Sequence, residues 1–348
     1  MLRNRAIHER RTQQVLADVV RTYIETGEPV ASRTIAKRHE ESLSPATIRN
    51  IMADQEEEGF LYQPHTSAGR VPTAAAYRFF AQQVAAQATL SAPDREWIRR
   101  EMKAAATPEE ATERAGHVLA SVSHGLGIIV SPPLGKTVLE HLRFLLLPDG
   151  RVVVVLISPG GATRDKILRP ERDFTQADLD HTAEYLNTHY ARWTLEAIRG
   201  DLMTKLAQER ERYEKIAGDA LALCDPSLLA DSTAQQVYME GAAQIAAAPE
   251  FADQAQLREL LAAIEEKHRL VALLNVCIDA PEPVYVQIGI DEMSAAGQNL
   301  ALISAAYTRR DHMQGSLGVL GPMRMQYERA MTAVAYVAQL FGETLNKA

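Results

Sequence analysis

The chain has 348 residues, 46% hydrophobic and 24% charged, with a formal net charge of −8. That length gives two or three domains at roughly 100–200 residues each, and the composition is that of a folded protein, which excludes general disorder. The longest apolar runs, such as the one from Arg151 to Ser158, fall far short of the roughly 18 residues that span a bilayer, so no membrane partner is expected.

Met1 to Arg10 carries basic residues with no apolar stretch behind them, which is not the pattern of a signal peptide, so a cytoplasmic location is expected. Cys224 and Cys277, the only cysteines, stand far apart and fit neither a disulfide framework nor a thiolate metal site. An acidic chain argues against nucleic acid as a partner, but the charge is unevenly spread. Residues 1–80 hold eleven Lys or Arg against ten Asp or Glu, which leaves −9 for the remainder. The stretch from Phe60 to Pro93 contains no acidic residue and includes Arg70 and Arg78. A local positive edge is therefore expected there, while the acidic remainder suppresses indiscriminate binding to polyanions.

In chain order, Leu16, Val19, Val20, Tyr23 and Ile24 recur at the spacing of one helical face, and Gly27 with Glu28-Pro29 supplies the stop. Ser32 is expected to cap a second short helix through Arg38, with Ile35 turned inward. Ser44-Pro45 starts a third helix, running to about Glu58, with a capping hydroxyl before a proline whose missing N–H costs nothing at that position. Gly59 closes it, and Phe60 to Tyr62 and Val71 form two strand pieces of a hairpin. An alanine-rich helix follows, and Ser91-Ala-Pro93 marks a linker. Beyond a helical segment from Trp97 to Ser123, the apolar runs 138–147 and 151–157 flank Pro148-Asp-Gly150 as a hairpin. Residues 171–232 have helical spacing and many charges. Strand-like runs return at 283–289, 300–304 and 315–320, before a helix from about Met325 to Phe341. Two sheet portions flanking a helical stretch predict one interrupted α+β domain.

On the third helix, Ile48, Ile51 and Met52 share a face that is expected to bury against the first two helices. The opposite face carries Ala46, Thr47, Arg49, Asn50 and Ala53. Arginine can bond guanine O6 and N7, asparagine can bond adenine N6 and N7, and threonine or alanine can touch a thymine methyl. Ser44 and the first-turn N–H groups can hold a phosphate. At the hairpin tip, His65, Thr66, Ser67, Gly69 and Arg70 suit contact with phosphate or the minor groove, with no carboxylate nearby in sequence. A solvated helix face and a plain polar turn are the competing readings.

Gly27-Glu-Pro-Val30, Ser44-Pro-Ala-Thr-Ile-Arg-Asn50, Glu57-Glu-Gly59, Gln63-Pro-His-Thr-Ser-Ala-Gly-Arg70, Pro72-Thr73 and Tyr77-Arg78 resemble the N-terminal signature of the HrcA heat-inducible transcription repressors. Glu240-Gly241, Pro249-Glu-Phe251, Gly318-Val-Leu-Gly-Pro322, Arg324-Met325 and Tyr327-Glu-Arg329 extend the resemblance toward the C-terminus. It implies a winged helix-turn-helix in residues 1–80, a linker helix over 81–100, and a GAF-like α+β domain in 101–170 and 233–348. A helical dimerisation module at 171–232 is inserted in that domain. It further implies a homodimer that binds double-stranded DNA at an inverted-repeat operator called CIRCE, upstream of chaperone operons, with help from the chaperonin GroEL. Such a protein is cytoplasmic and associates with the nucleoid when bound to its operator. Ile51, Gln55 and Ala76 depart from the family pattern, which usually has glutamate, leucine and glycine there, and Gln55 is expected to loosen the packing of the third helix.

Catalytic readings find no site. Gly135-Lys-Thr137 ends like a phosphate-binding loop, but Val130 replaces its first glycine and Pro132-Pro133 removes N–H donors. Gly315, Gly318 and Gly321 precede Pro322 rather than a helix, and they fit a strand and turn. His181 and His189 lack a metal-binding motif. No enzyme, cofactor or metal is therefore expected. Two alternatives remain: a transcription factor that senses a small molecule through the GAF-like domain, and a chaperone-binding protein without DNA affinity.

Overall fold

A computed structural model of the chain describes residues 2–38, 43–85, 88–132, 137–157, 163–170, 172–208, 236–293, 297–308 and 314–346. Gly135 and its following lysine, Cys224 and residues 209–232 of the expected insertion lie outside the described residues.

The first unit consists of α1 (Leu2–Thr26), α2 (Ser32–Arg38), α3 (Pro45–Glu57) and the hairpin β1 (Leu61–Tyr62) and β2 (Val71–Pro72). Val15, Leu16, Val19 and Val20 of α1 meet Ile35 of α2 and Ile48, Ile51 and Met52 of α3 in one core. Each such side chain contributes about 1.5–3 kcal/mol through burial. Ser44 caps α3, with its hydroxyl oxygen accepting the Thr47 N–H at 3.1 Å. Gly59, at φ 81°, closes the turn after the helix. Ser32 does not cap α2 as expected. It lies buried within the helix, and the Ala31 carbonyl accepts the first N–H groups, from Thr34 and Ile35. Gln55 is buried, and its amide donates to the Thr12 carbonyl at 2.7 Å, so a polar bond joins α3 to α1. It makes that one tie and leaves its side-chain oxygen buried without a hydrogen-bond partner among the described residues.

The single linker helix expected over 81–100 is two elements, because Ser91 begins a helix instead of ending one. α4 (Ala74–Ala85) is followed by α5 (Ala92–Lys103), whose start is capped by the Ser91 hydroxyl accepting the Asp94 N–H at 3.2 Å. α4 buries Ala76, Tyr77, Phe80, Ala81 and Val84, and it contacts both units. A capped proline start separates α6 (Pro108–Ser123) from α5.

The second unit is a five-stranded antiparallel sheet with the order β7-β3-β10-β9-β8, comprising β3 (Leu126–Val130), β7 (Val237–Glu240), β8 (Tyr285–Ile288), β9 (Leu300–Thr308) and β10 (Gln314–Pro322). Gly315, Gly318 and Gly321 all lie within β10. Both faces of the sheet are buried. Ile129, Ile303, Leu317 and Val319 face a core shared with α6 and the last helix, labelled α12 below, and Ile128, Leu302 and Leu320 face a second core. The second core is completed by α9 (Ala242–Ala246), α10 (Gln254–Glu265) and α11 (Lys267–Asp279), and the chain ends in α12 (Tyr327–Leu345).

Between β3 and β7 stands a third unit with its own core. The strands β4 (His141–Leu146), β5 (Val152–Ile157) and β6 (Thr163–Leu168) form a separate three-stranded antiparallel sheet, packed against α7 (Gln176–His189) and α8 (Leu195–Gln208). The 138–157 hairpin therefore does not open the large sheet, and the interruption is not purely helical. Among the described residues its strands pair only with each other, and Leu142, Phe144 and Val152 bury against Leu179, Leu186 and Tyr190.

Asp94 at the start of α5 receives two bonds from Arg329 of α12, at 2.8 and 3.1 Å. These bonds hold its carboxyl below the ordinary carboxylate range. A depressed carboxylate adds stability above its unfolded value near 3.9, and that stability is lost as pH falls through the folded value. Asp94→Asn is expected to cost about 1 kcal/mol at neutral pH, the charged bond being discounted for partial exposure, and to flatten the acid limb of the stability curve. Denaturant titrations of both proteins from pH 7 to 3 check this.

Candidate nucleic-acid interface

The α3 face predicted for DNA is open. Ala46, Thr47, Arg49 and Asn50 are exposed, while Ile48, Ile51, Met52 and Gln55 on the opposite flank are buried. Among the described residues, the Arg49 and Asn50 side chains have no hydrogen-bond or ionic partner, so none of those residues competes for their donors. Ser44 and Thr47 are bonded to each other, oxygen to oxygen, at 2.9 Å. The cap therefore sets the side-chain direction of Thr47, and Ala46 keeps the one uncapped N–H beyond Pro45 in that turn.

The hairpin tip is built from within. Gln63 donates its amide to the carbonyls of Thr66, at 3.0 Å, and Ala68, at 2.8 Å, and the Ala68 N–H reaches the His65 carbonyl at 2.8 Å. This closed turn leaves His65, Thr66 and Ser67 exposed at its end. Val30 and Arg70 exchange backbone bonds of 2.8 and 2.9 Å, adding the chain before α2 to the hairpin. Gly69 fits at that crossing because it lacks a side chain. A Cβ there would sit 2.6 Å from the Pro29 carbonyl oxygen and closer still to that of Val30. Gly69→Ala is expected to cost about 1–3 kcal/mol as an overpacked site. It should also weaken DNA binding by moving the tip, and thermal unfolding beside a DNA titration measures both effects.

The positive edge read from local sequence is largely consumed by the fold. Arg70 lies 2.8 Å from the Glu56 carboxylate at the end of α3, and only 18% of its side chain is exposed. The hairpin has no acid of its own, but tertiary packing supplies one. Arg78 donates twice to the Ile288 carbonyl, at 3.0 and 3.2 Å. Arg33 and Lys37 on α2, which sequence reading passed over, are exposed with no acidic partner among the described residues. Their spacing along one short basic helix, directly before α3, was the available signal. The candidate interface thus combines two free cations on α2, an exposed polar flank on α3 and a hydroxyl-rich tip. Such a set can grip phosphate and discriminate bases in a major groove.

Among the described residues, no group of three or more His, Cys, Asp or Glu could hold a metal ion. No described helix is long and apolar enough to cross a membrane.

A sequence profile of the HrcA protein C-terminal domain matches residues 109–331. The "Heat-inducible transcription repressor HrcA" of Geobacter sulfurreducens is 35% identical, covering 96% of this chain and 97% of its own. The protein of the same name from Syntrophobacter fumaroxidans is 34% identical, over 97% of each chain, and that from Xylella fastidiosa is 32% identical, over 96% of this chain and 95% of its own. A crystal structure of a hypothetical protein shares the fold, with a TM-score of 0.61 at 21% identity, over 97% of this chain and 98% of the other.

Proposed function

Since the chain belongs to the HrcA family of heat-inducible transcription repressors, we propose that it is a dimeric, sequence-specific repressor of chaperone operons. Its operator is the CIRCE inverted repeat, and its activity is assisted by the GroEL chaperonin. The observation that carries this reading is the exposed, unpartnered flank of Arg49 and Asn50 on a helix whose other flank is sealed. In this reading α2, α3 and the β1–β2 hairpin form a winged helix-turn-helix. α3 enters the major groove with Ala46, Thr47, Arg49 and Asn50, Ser44 orients its start, and His65, Thr66 and Ser67 touch the backbone or adjacent minor groove. Arg70 serves both the tip and its tie to Glu56.

The large sheet with its flanking helices acts as the GAF-like body, and the separate unit of β4 to α8 acts as the dimerisation module. The module's outer sheet face supports that assignment, because Leu145, Val153 and Ile167 lie in one row across three strands. Leu145 is 50% and Ile167 51% exposed, an apolar strip with no cover from the described residues of its own chain. A two-fold axis through such modules would match an inverted repeat. A gel shift with an inverted-repeat duplex from a chaperone promoter tests the reading. Retardation is expected, strengthened by added chaperonin, and the absence of any shift at micromolar protein would refute it.

A further inference from the structure

The helix-bearing unit is not tethered loosely. Its core runs without a break into the body, with the Phe80 and Tyr77 rings of α4 at 6.3 and 6.1 Å from the Tyr327 ring. Apolar contact alone is non-directional and would let the unit turn on the body. Three polar anchors cross the joint at separate points. At the first, Arg324 pairs with Glu250 at 2.6 Å, lies beside the turn at Gly27, and reaches the Ile24 carbonyl at the end of α1 at 3.5 Å. Gly27 leaves it that room, since a Cβ there would stand 2.9 Å from the guanidinium. At the second, Arg21 of α1 pairs with Glu328 of α12 at 3.0 Å. The third is Arg78 of α4, bonded to the Ile288 carbonyl at the end of β8. Arg21 and Glu328 are well exposed, so their pairing adds little to stability, and orientation is what it can supply.

We propose that Arg21, Arg78 and Arg324, with Glu328, Glu250 and the Ile288 carbonyl, are positioning residues that fix the angle of α3 on the body and thereby set the half-site spacing the dimer accepts. This rests on the repressor reading above. Two recognition helices held rigidly can engage only half-sites at matching distance and phase. Changing the spacer by two base pairs moves one half-site by about 7 Å and turns it by about 70°. A pivoting unit would follow that change, and a locked one would not.

The test titrates full-length wild type and an Arg21→Ala/Arg78→Ala variant against inverted-repeat duplexes whose spacer changes in single base-pair steps, and against a duplex carrying one half-site. Wild type is expected to lose at least about tenfold in affinity at a two-base-pair change, and the variant less than about threefold, because only one copy keeps its grip when phase is lost and the anchors hold. Both should bind the single half-site alike, which a merely structural defect would not spare. Arg21→Glu should broaden the spacer profile in the same way, and Arg21→Glu/Glu328→Arg should restore it, a rescue that holds even if the double alanine variant folds poorly. A folded variant with the wild-type spacer profile overturns the proposal, and so does a wild type that binds every spacer equally. Wild type that binds neither half-site nor repeat overturns the repressor reading itself, and the inference falls with it.

Discussion

Between 50 and 200 mM salt, affinity for the operator is expected to fall roughly 10³-fold, the lower end of the 10³–10⁵ range for six to ten phosphate contacts. The fold sets that end of the range. Arg78 is bound to a backbone carbonyl and Arg70 to Glu56, so neither is a free phosphate ligand at the outset. Arg33 and Lys37 remain exposed in each copy, and Arg49 brings its charge into the groove between the phosphate rows while its donors go to a base, which gives six cations near phosphate in the proposed dimer. The net −9 carried by residues 81–348 opposes weak, diffuse attachment and leaves the interface as the main electrostatic contribution. Titrations at four salt concentrations give the slope, and a fall of less than about tenfold would mean that these cations do not neutralise phosphate charge.

Phe80→Ala is expected to destabilise the chain by about 3–5 kcal/mol, as for a large aromatic removed from a sealed core. Phe80 is fully buried, meets Tyr327 edge-on, and has the Arg21 guanidinium 5.6 Å above its ring. It belongs to the one core that includes residues from α1 through α12, so its loss opens the joint between the units as well as a cavity. Denaturant unfolding should show the lower stability, and protease digestion should cut between the units sooner. A loss under about 1 kcal/mol would mean that the joint collapses around the gap.

How much of this was legible in sequence varied with the physics that fixed each element. The first unit was read well because its signals are local. Ser44-Pro45 starts α3, Gly59 ends it, and the spacing of Ile48, Ile51 and Met52 names its buried flank. Charge was misread because pairing is tertiary. Glu56 precedes Arg70 by more than a helical turn and a hairpin, and no local count places them together. β3 was missed because all five of its residues are buried, which removes the alternation that marks a strand. β6 was missed because Arg164, Asp165 and Lys166 hide a strand that pairs with β5. The two sheets could not be told apart, since register between distant segments leaves no trace in either one. Ser91-Ala-Pro93 carries the same start signal as Ser44-Pro45, and reading it as a break overlooked the cap.

The most direct measurement of the central claim is a binding titration of wild type, Arg49→Ala and Asn50→Ala against half-sites substituted one base pair at a time. Wild type should lose about 1–3 kcal/mol at the positions read by these two side chains, and each variant should lose discrimination at its own position while keeping it elsewhere. Arg70→Ala, which removes the tie between the hairpin and Glu56 at the end of α3, should instead lower affinity for every duplex by a similar factor. Variants of Arg49 and Asn50 with the wild-type base profile would contradict the account, because the open flank of α3 would then not be what reads the DNA.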